Sequence, residues 1–137
     1  MNTLEPAADA AALEALLDRL REPAVRDLAW LLFSPPLLRP QPPFGKLAEP
    51  FDSAGDAAAS VAWLLALERD PAPLDACLAA SRFTRLGRYA ERLLAFFLEH
   101  GPALRLVAAN VALRRAGRTL GECDFLIETP GGSRLHW

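Results

Sequence analysis

Two carboxylates two residues apart, Glu122 and Asp124, lie inside an apolar run that favours a strand, directly after a glycine turn. Successive side chains of a strand point to opposite faces, so the two carboxylates share one face if no β-bulge intervenes. An ionised carboxylate beside a hydrophobic strand is costly unless a cation or hydrogen-bond donors compensate its charge. Hard divalent cations take oxygen ligands, and the pair therefore predicts a metal site. The alternative for Asp124 is a strand-end residue hydrogen-bonded to the turn.

The first eighty residues show the apolar spacing of helices. Six prolines between residues 34 and 50 predict an irregular connector, which contains Lys46, the one lysine of the chain. Trp30 and Trp63 are expected to anchor the core of these helices. The predicted helices are Leu4–Leu20, a second from Pro23 to Ser34, Ser53–Arg69 with a cap at Ser53 or Asp56, and Leu74–Ala80.

The character of the sequence changes at Ser81. A strongly amphipathic helix is predicted over 85–99, with Leu86 and Tyr89 in its apolar stripe, and Gly101-Pro102 ends it. Strands are predicted over 104–115, where alanines leave a helix open, and over 118–129, and a third strand begins at residue 134. The fold class predicted is α+β, with a helical region over 1–80 and an incomplete α/β core over 81–137.

Composition narrows the class of protein. The chain has 137 residues, of which 52% are hydrophobic, so it suits one domain, or one domain and part of another, with an ample core. No run approaches the ~18 apolar residues of a membrane span. The acidic N-terminus does not resemble a secretory signal, so a cytoplasmic location is expected. The two cysteines form neither a C-x-x-C pair nor a Cys/His cluster, and no disulfide framework or zinc site is indicated.

The charge is unevenly distributed. The net charge is −2, but residues 1–80 carry 12 acidic and 6 basic side chains, whereas residues 81–137 carry 5 acidic and 9 basic ones. An arginine-rich half suits a phosphate-bearing partner, and a solvated basic face is the alternative. The candidate phosphate contacts are Arg85, Arg88 and Arg118.

A helix with a glutamate, a strand, a turn and a strand bearing Gly-Glu-x-Asp follow one another in this half. This order resembles the PD-(D/E)XK nuclease superfamily, especially its Holliday-junction-resolvase-like and restriction-endonuclease-like members. The resemblance is carried by Gly87–Glu91, Asn110–Gly117 and Gly121–Leu126. A narrower resemblance, carried by Pro23–Leu32 and Gly117–Glu122, is to an uncharacterised bacterial family of longer proteins known only as a domain of unknown function.

The superfamily resemblance implies a sheet flanked by helices and a Mg²⁺-dependent hydrolysis of DNA phosphodiesters. Asp124 matches the metal-binding aspartate of the second strand, and Glu91 matches a helix glutamate that some members use as a further metal or water ligand. Glu122 takes a secondary role at the metal. The alternative for Glu91 is a solvated helix residue paired with Arg88 or Arg92.

The resemblance also implies an E-x-K motif on the third strand, directly after Trp137. The chain does not contain this motif, and Lys46 in the connector cannot replace its lysine. We therefore expect a truncated N-terminal part of a nuclease-like protein, which binds Mg²⁺ weakly and is itself inactive. The alternatives are a catalytically silent module that binds nucleic acid or a protein partner, and a helical interaction module capped by the hairpin. No membrane partner is expected, and the sequence leaves the oligomeric state open.

Overall fold

The computed structural model describes residues 6–41 and 47–137, with side chains of the first helix described from Ala10 onward. Within these residues, five helices precede one antiparallel sheet of three strands, which confirms the predicted α+β class. The helices are α1 Pro6–Asp18, α2 Pro23–Phe33, α3 Ala54–Arg69, α4 Ala72–Ala79 and α5 Leu86–His100. The strands are β1 Arg105–Arg115, β2 Arg118–Glu128 and β3 Arg134–His136.

Local sequence signals set the ends of several helices. Pro23 occupies the first turn of α2, where its missing N–H costs nothing. The Ser53 hydroxyl accepts the Asp56 N–H at 3.1 Å and caps α3, as predicted. α3 ends at Arg69, as predicted, and Pro73 lies in the first turn of α4, where proline is tolerated. Leu4, the predicted start of the first helix, and residues 42–46 of the predicted connector, including Lys46, lie outside the described residues.

The hydrophobic core joins the helices to one face of the sheet. Its fully buried side chains come from α2, α3, α4, α5, β2 and the connection before α2, and include Leu20, Val25, Leu28, Leu64, Leu74, Leu93, Phe97 and Ile127. Trp63 packs edge-on against Phe97 with ring centroids 5.5 Å apart, as expected of a core anchor. The expectation for Trp30 was wrong, because its side chain is 52% exposed. Leu86 is also exposed, since it stands in the first, open turn of α5.

The three strands form a meander in the order β1-β2-β3. Ala116 and Gly117 connect β1 to β2 with φ angles of 50° and 75°, and positive φ at both positions is what a type I′ two-residue hairpin turn needs. Trp137 extends the pairing of β3, because its N–H and C=O both bond to Phe125 at 2.9 Å. The pairing of 104–115 with β2 excludes the helix that its alanines left open.

Two ion pairs tie the base of the hairpin to the third strand. Glu128 accepts a hydrogen bond from Arg105 at 2.8 Å and lies 3.5 Å from the Arg134 guanidinium. The Arg105 hydrogen bond and charge, with a smaller contribution from Arg134, lower the pKa of the Glu128 carboxyl. The base of the sheet is therefore held by an ionised Glu128 at neutral pH.

Candidate functional site

A groove of about 540 Å³ lies between α5, the segment that precedes α5, and the hairpin. It brings together two residues that the sequence predicted on different elements, Glu91 of α5 and Asp124 of β2. Three acidic and three basic residues line it: Glu91, Glu99, Asp124, Arg82, Arg88 and Arg92. A groove with both charges suits a ligand that combines a phosphate with a metal cation.

Glu91 lies on the outer side of the amphipathic helix. Arg88 lies one turn before Glu91 on α5, and its Nη1 atom is 3.4 Å from the Glu91 Oε2 atom. The side chains are 71% and 38% exposed, respectively, and such surface pairs contribute only ~0.2–0.5 kcal/mol. The ion pair predicted as the alternative for Glu91 is therefore present, but it is weak enough for a ligand to replace it.

Asp124 stands between two buried neighbours of β2, Cys123 and Phe125, so its own side chain is exposed on the face of the sheet opposite the helices. Asp124 therefore borders the groove, but its carboxylate does not point toward α5. The pairing with β1 has no register shift from Gly121 to Leu126, and Glu122 therefore shares that face, as predicted. Glu122 does not line the groove. Among the described residues, no hydrogen bond engages the Asp124 carboxylate, so the turn-bonded alternative has no contact to support it.

Asn110 of β1 also lines the groove. Its neighbours Ala109 and Val111 pair with Phe125 and Cys123, so Asn110 falls opposite Asp124 in the register. Its φ angle is 53°, a left-handed conformation that asparagine tolerates better than most residues. An amide beside a carboxylate adds an oxygen ligand or a hydrogen-bond donor to the groove.

The predicted phosphate contacts are only partly brought together. Arg88 lines the groove, whereas Arg85 is the exposed cap residue of α5 and Arg118 lies at the hairpin turn, and neither lines it. Arg82 and Asn110 were not singled out as site residues. An asparagine inside an apolar strand was a usable signal for Asn110, but nothing in the sequence separates Arg82 from the other exposed arginines.

The donors of the groove fit a magnesium ion in chemical type. Among the described residues, no three His, Cys, Asp or Glu side chains gather closely enough to hold a metal, so at most two carboxylates meet at one point. Mg²⁺ typically binds through one or two carboxylates together with water and substrate phosphate, whereas structural zinc needs four ligands. Glu91, Asp124 and Asn110 supply oxygen atoms of the required kind.

Fold and groove together define an α+β protein with a β-meander whose middle strand carries an exposed aspartate beside an arginine-rich helix. The chain belongs to the family described as "Domain of unknown function (DUF1853)", which it matches over residues 26–137. The match runs from α2 to the end of the sheet and includes every residue of the groove. No curated protein and no solved structure matches the chain. In the described part of the chain, each helix is too short or too polar to cross a bilayer.

Proposed function

We propose that this chain provides part of a metal-dependent phosphodiesterase site in a bacterial, cytoplasmic nuclease of the PD-(D/E)XK kind, with DNA as the substrate. The observation that carries the proposal is that Asp124 and Glu91 line one groove together with three arginines. The strand order supports it as well, because the aspartate lies on the second strand of a meander that follows the glutamate-bearing helix.

The register of the third strand gives the proposal its second support. His136 pairs with Leu126, and Trp137 exchanges both backbone hydrogen bonds with Phe125. In a longer protein, a strand that continued in this register would place its next residue opposite Asp124, on the same face, with Cβ atoms ~4.5–5.5 Å apart. The resemblance to PD-(D/E)XK nucleases implies that the glutamate of E-x-K would lie at that position.

Each group in the groove then has a role. Mg²⁺, when bound, would supply positive charge at the scissile phosphate. Asp124 would hold it from the sheet, with Glu91 as the candidate ligand from the helix side of the groove. Arg82, Arg88 and Arg92 neutralise the phosphate and fix its position through charge-assisted hydrogen bonds. Displacement of Arg88 from Glu91 by a phosphate would free the carboxylate for the cation.

A second function, binding of nucleic acid or of a protein partner without cleavage, is favoured by one observation. Among the described residues, no group of three His, Cys, Asp or Glu side chains is placed to hold a metal ion. A silent site of this kind would keep the arginines and their affinity for phosphate. Its affinity for nucleic acid would be the same with and without added metal.

Paramagnetic broadening by Mn²⁺ tests the metal site even when affinity is weak. We expect backbone amide signals near residues 91, 110 and 124 to broaden first as Mn²⁺ is added to the isotope-labelled chain. Asp124→Asn should abolish this pattern, whereas Asp75→Asn, an exposed aspartate of α4 away from the groove, should not change it. Broadening centred on another acidic surface, or a pattern unchanged by Asp124→Asn, would contradict the proposed site.

The same proposal predicts that the 137-residue chain does not cut DNA by itself. With at most two carboxylates at one point of the groove and no lysine in it, metal affinity and charge stabilisation are both incomplete. Incubation with Mg²⁺ or Mn²⁺ and linear or branched DNA should leave the substrate intact. Metal-dependent cleavage that Asp124→Ala abolishes would show that the chain is sufficient for catalysis.

A further inference from the structure

The hairpin of β1 and β2 extends well beyond the body of the protein. Every residue from Ala112 to Glu122 is exposed, and burial begins only at Cys123. The reason is length: α5, with 15 residues, is ~22 Å long, whereas β1, with 11 residues, is ~36 Å long. Since residues 101–104 connect the two, β1 runs back along α5 and its last four residues overhang the helix by ~13 Å. We call residues 112–121 the hairpin arm.

The hairpin arm carries three positive charges and no carboxylate, and Glu122, which pairs with Ala112, lies at its base. Among the described residues, no acidic side chain forms an ion pair with Arg114, Arg115 or Arg118. Arg115 and Arg118 are direct cross-strand partners, an arrangement that is unfavourable for like charges. The arm therefore holds two guanidinium groups side by side, and a bound anion would reduce the repulsion between their charges.

We propose that the hairpin arm binds the phosphate backbone of duplex DNA, with Arg115 and Arg118 as the principal contacts. A two-stranded β-ribbon fits the major groove of a duplex, which is ~12 Å wide. Single-stranded nucleic acid is instead bound by aromatic side chains on which bases stack, and residues 112–121 contain none. This inference rests on the proposed function, since it takes the substrate of the groove to be DNA and specifies its double-stranded form.

The hairpin arm and the groove lie along one strand. Arg118 and Asp124 are six residues apart on β2, which corresponds to ~20 Å of strand. Because α5 runs antiparallel to β1, its first turns, with Arg88, lie toward the arm. A duplex that contacts the arm can therefore extend past the groove, with ~6 base pairs between the arm contact and Asp124.

Fluorescence anisotropy with a labelled duplex in EDTA tests the arm without any metal. We expect the 137-residue chain to bind the duplex and the double variant Arg115→Ala/Arg118→Ala to bind at least about tenfold more weakly. The slope of log K against log salt should become shallower by ~1.8, as expected for two lost phosphate contacts. Arg19→Ala/Arg39→Ala removes the same charge from exposed arginines of the N-terminal half and should have little effect on binding.

A charge-preserving variant, Arg115→Lys/Arg118→Lys, should keep most of the duplex affinity. It separates the loss of charge from a folding defect, because it changes the same two positions without removing their charge. The proposal is overturned if the wild-type chain does not bind the duplex, or if the control and arm variants weaken binding equally. It is also overturned if the arm variant loses affinity for single strands or anionic vesicles as much as for the duplex.

The two proposals fail in different ways. If the arm variant loses duplex binding but Mn²⁺ does not broaden signals near Asp124, the proposed DNA contact of the arm is supported and the metal site is rejected. If the arm variant binds the duplex as the wild type does but Mn²⁺ broadening depends on Asp124, the metal site is supported and the proposed DNA contact of the arm is rejected.

Discussion

Gly101 joins the helix that carries Glu91 to the hairpin that carries Asp124, and it has no room for a side chain. An added Cβ would lie 2.5 Å from the Phe97 carbonyl oxygen and 2.7 Å from two carbons of the buried Phe97 ring. The same carbonyl accepts the Gly101 N–H at 2.7 Å and closes α5. Gly101→Ala therefore has to move either the last turn of the helix or a core aromatic.

The cost of Gly101→Ala follows from these contacts. Weakening one backbone hydrogen bond costs ~1 kcal/mol, and overpacking a core typically costs ~1–3 kcal/mol. We expect the free energy of unfolding to fall by ~2–4 kcal/mol, a large fraction of the ~5–15 kcal/mol of an ordinary domain. Urea denaturation followed by far-ultraviolet circular dichroism measures this change as a lower midpoint.

Gly87→Ala on the same helix is the matched control. A Cβ at Gly87 would meet no heavy atom within 4 Å, so alanine gains helix propensity without a clash. We expect a stabilisation of ~0.5–1 kcal/mol, opposite in sign to Gly101→Ala. If Gly101→Ala leaves the midpoint unchanged, the packing described between α5 and β1 is wrong.

Two further predictions concern a helix contact and the hairpin turn. Burial, and the hydrogen bond of the Tyr89 hydroxyl to Asp27 at 2.8 Å, raise the pKa of Tyr89 to about 12, so its stabilisation is complete below pH ~10 and is lost as the pH rises toward 12. Tyr89 is the one tyrosine of the chain, and titration of tyrosinate absorbance should give this midpoint, lowered by Asp27→Asn; a midpoint near 10 would contradict it. Ala116→Gly should stabilise the hairpin by ~1 kcal/mol because it relieves the left-handed alanine, whereas Ala112→Gly, within β1, should destabilise it. Equal effects of the two glycines on the urea midpoint would contradict the turn geometry.

The elements of the fold were predictable because their signals are local. Ser53 precedes Asp56 by three residues, which is the spacing of a capped helix start, and Ala116-Gly117 separates two strand-like runs by two residues. The third strand at residue 134 follows from the same kind of turn signal.

What the sequence did not predict depends on how elements pack and how long they are. Trp30 is a large apolar residue of α2, but it lies on the exposed face of the helix, whereas its neighbours Ala29 and Leu32 are buried. Only the packing of the assembled core decides which face is buried. The register shifts near Val107 and Leu120 leave no clear mark in the sequence. The overhang of the hairpin arm arises from the difference in length between α5 and β1.

The exposure and direction of single site residues were predictable from local sequence patterns, but their arrangement around one groove was not. The spacing of Glu122 and Asp124 gave their shared face, and the amphipathic pattern placed Glu91 on the outer side of α5, where its side chain is partly exposed. That Glu91 and Asp124 line one groove, and that Glu122 does not, depends on where α5 crosses the sheet.

An added third-strand motif tests the metal site most directly, because the register specifies where its first residue must lie. The chain extended after Trp137 by Glu-Val-Lys should bind Mn²⁺ at least about tenfold more tightly than the chain extended by Gln-Val-Lys, ~1.4 kcal/mol in binding free energy. Asp124→Asn should remove this gain. Equal Mn²⁺ affinity of the two extended chains, or a gain that survives Asp124→Asn, would contradict a metal site at Asp124.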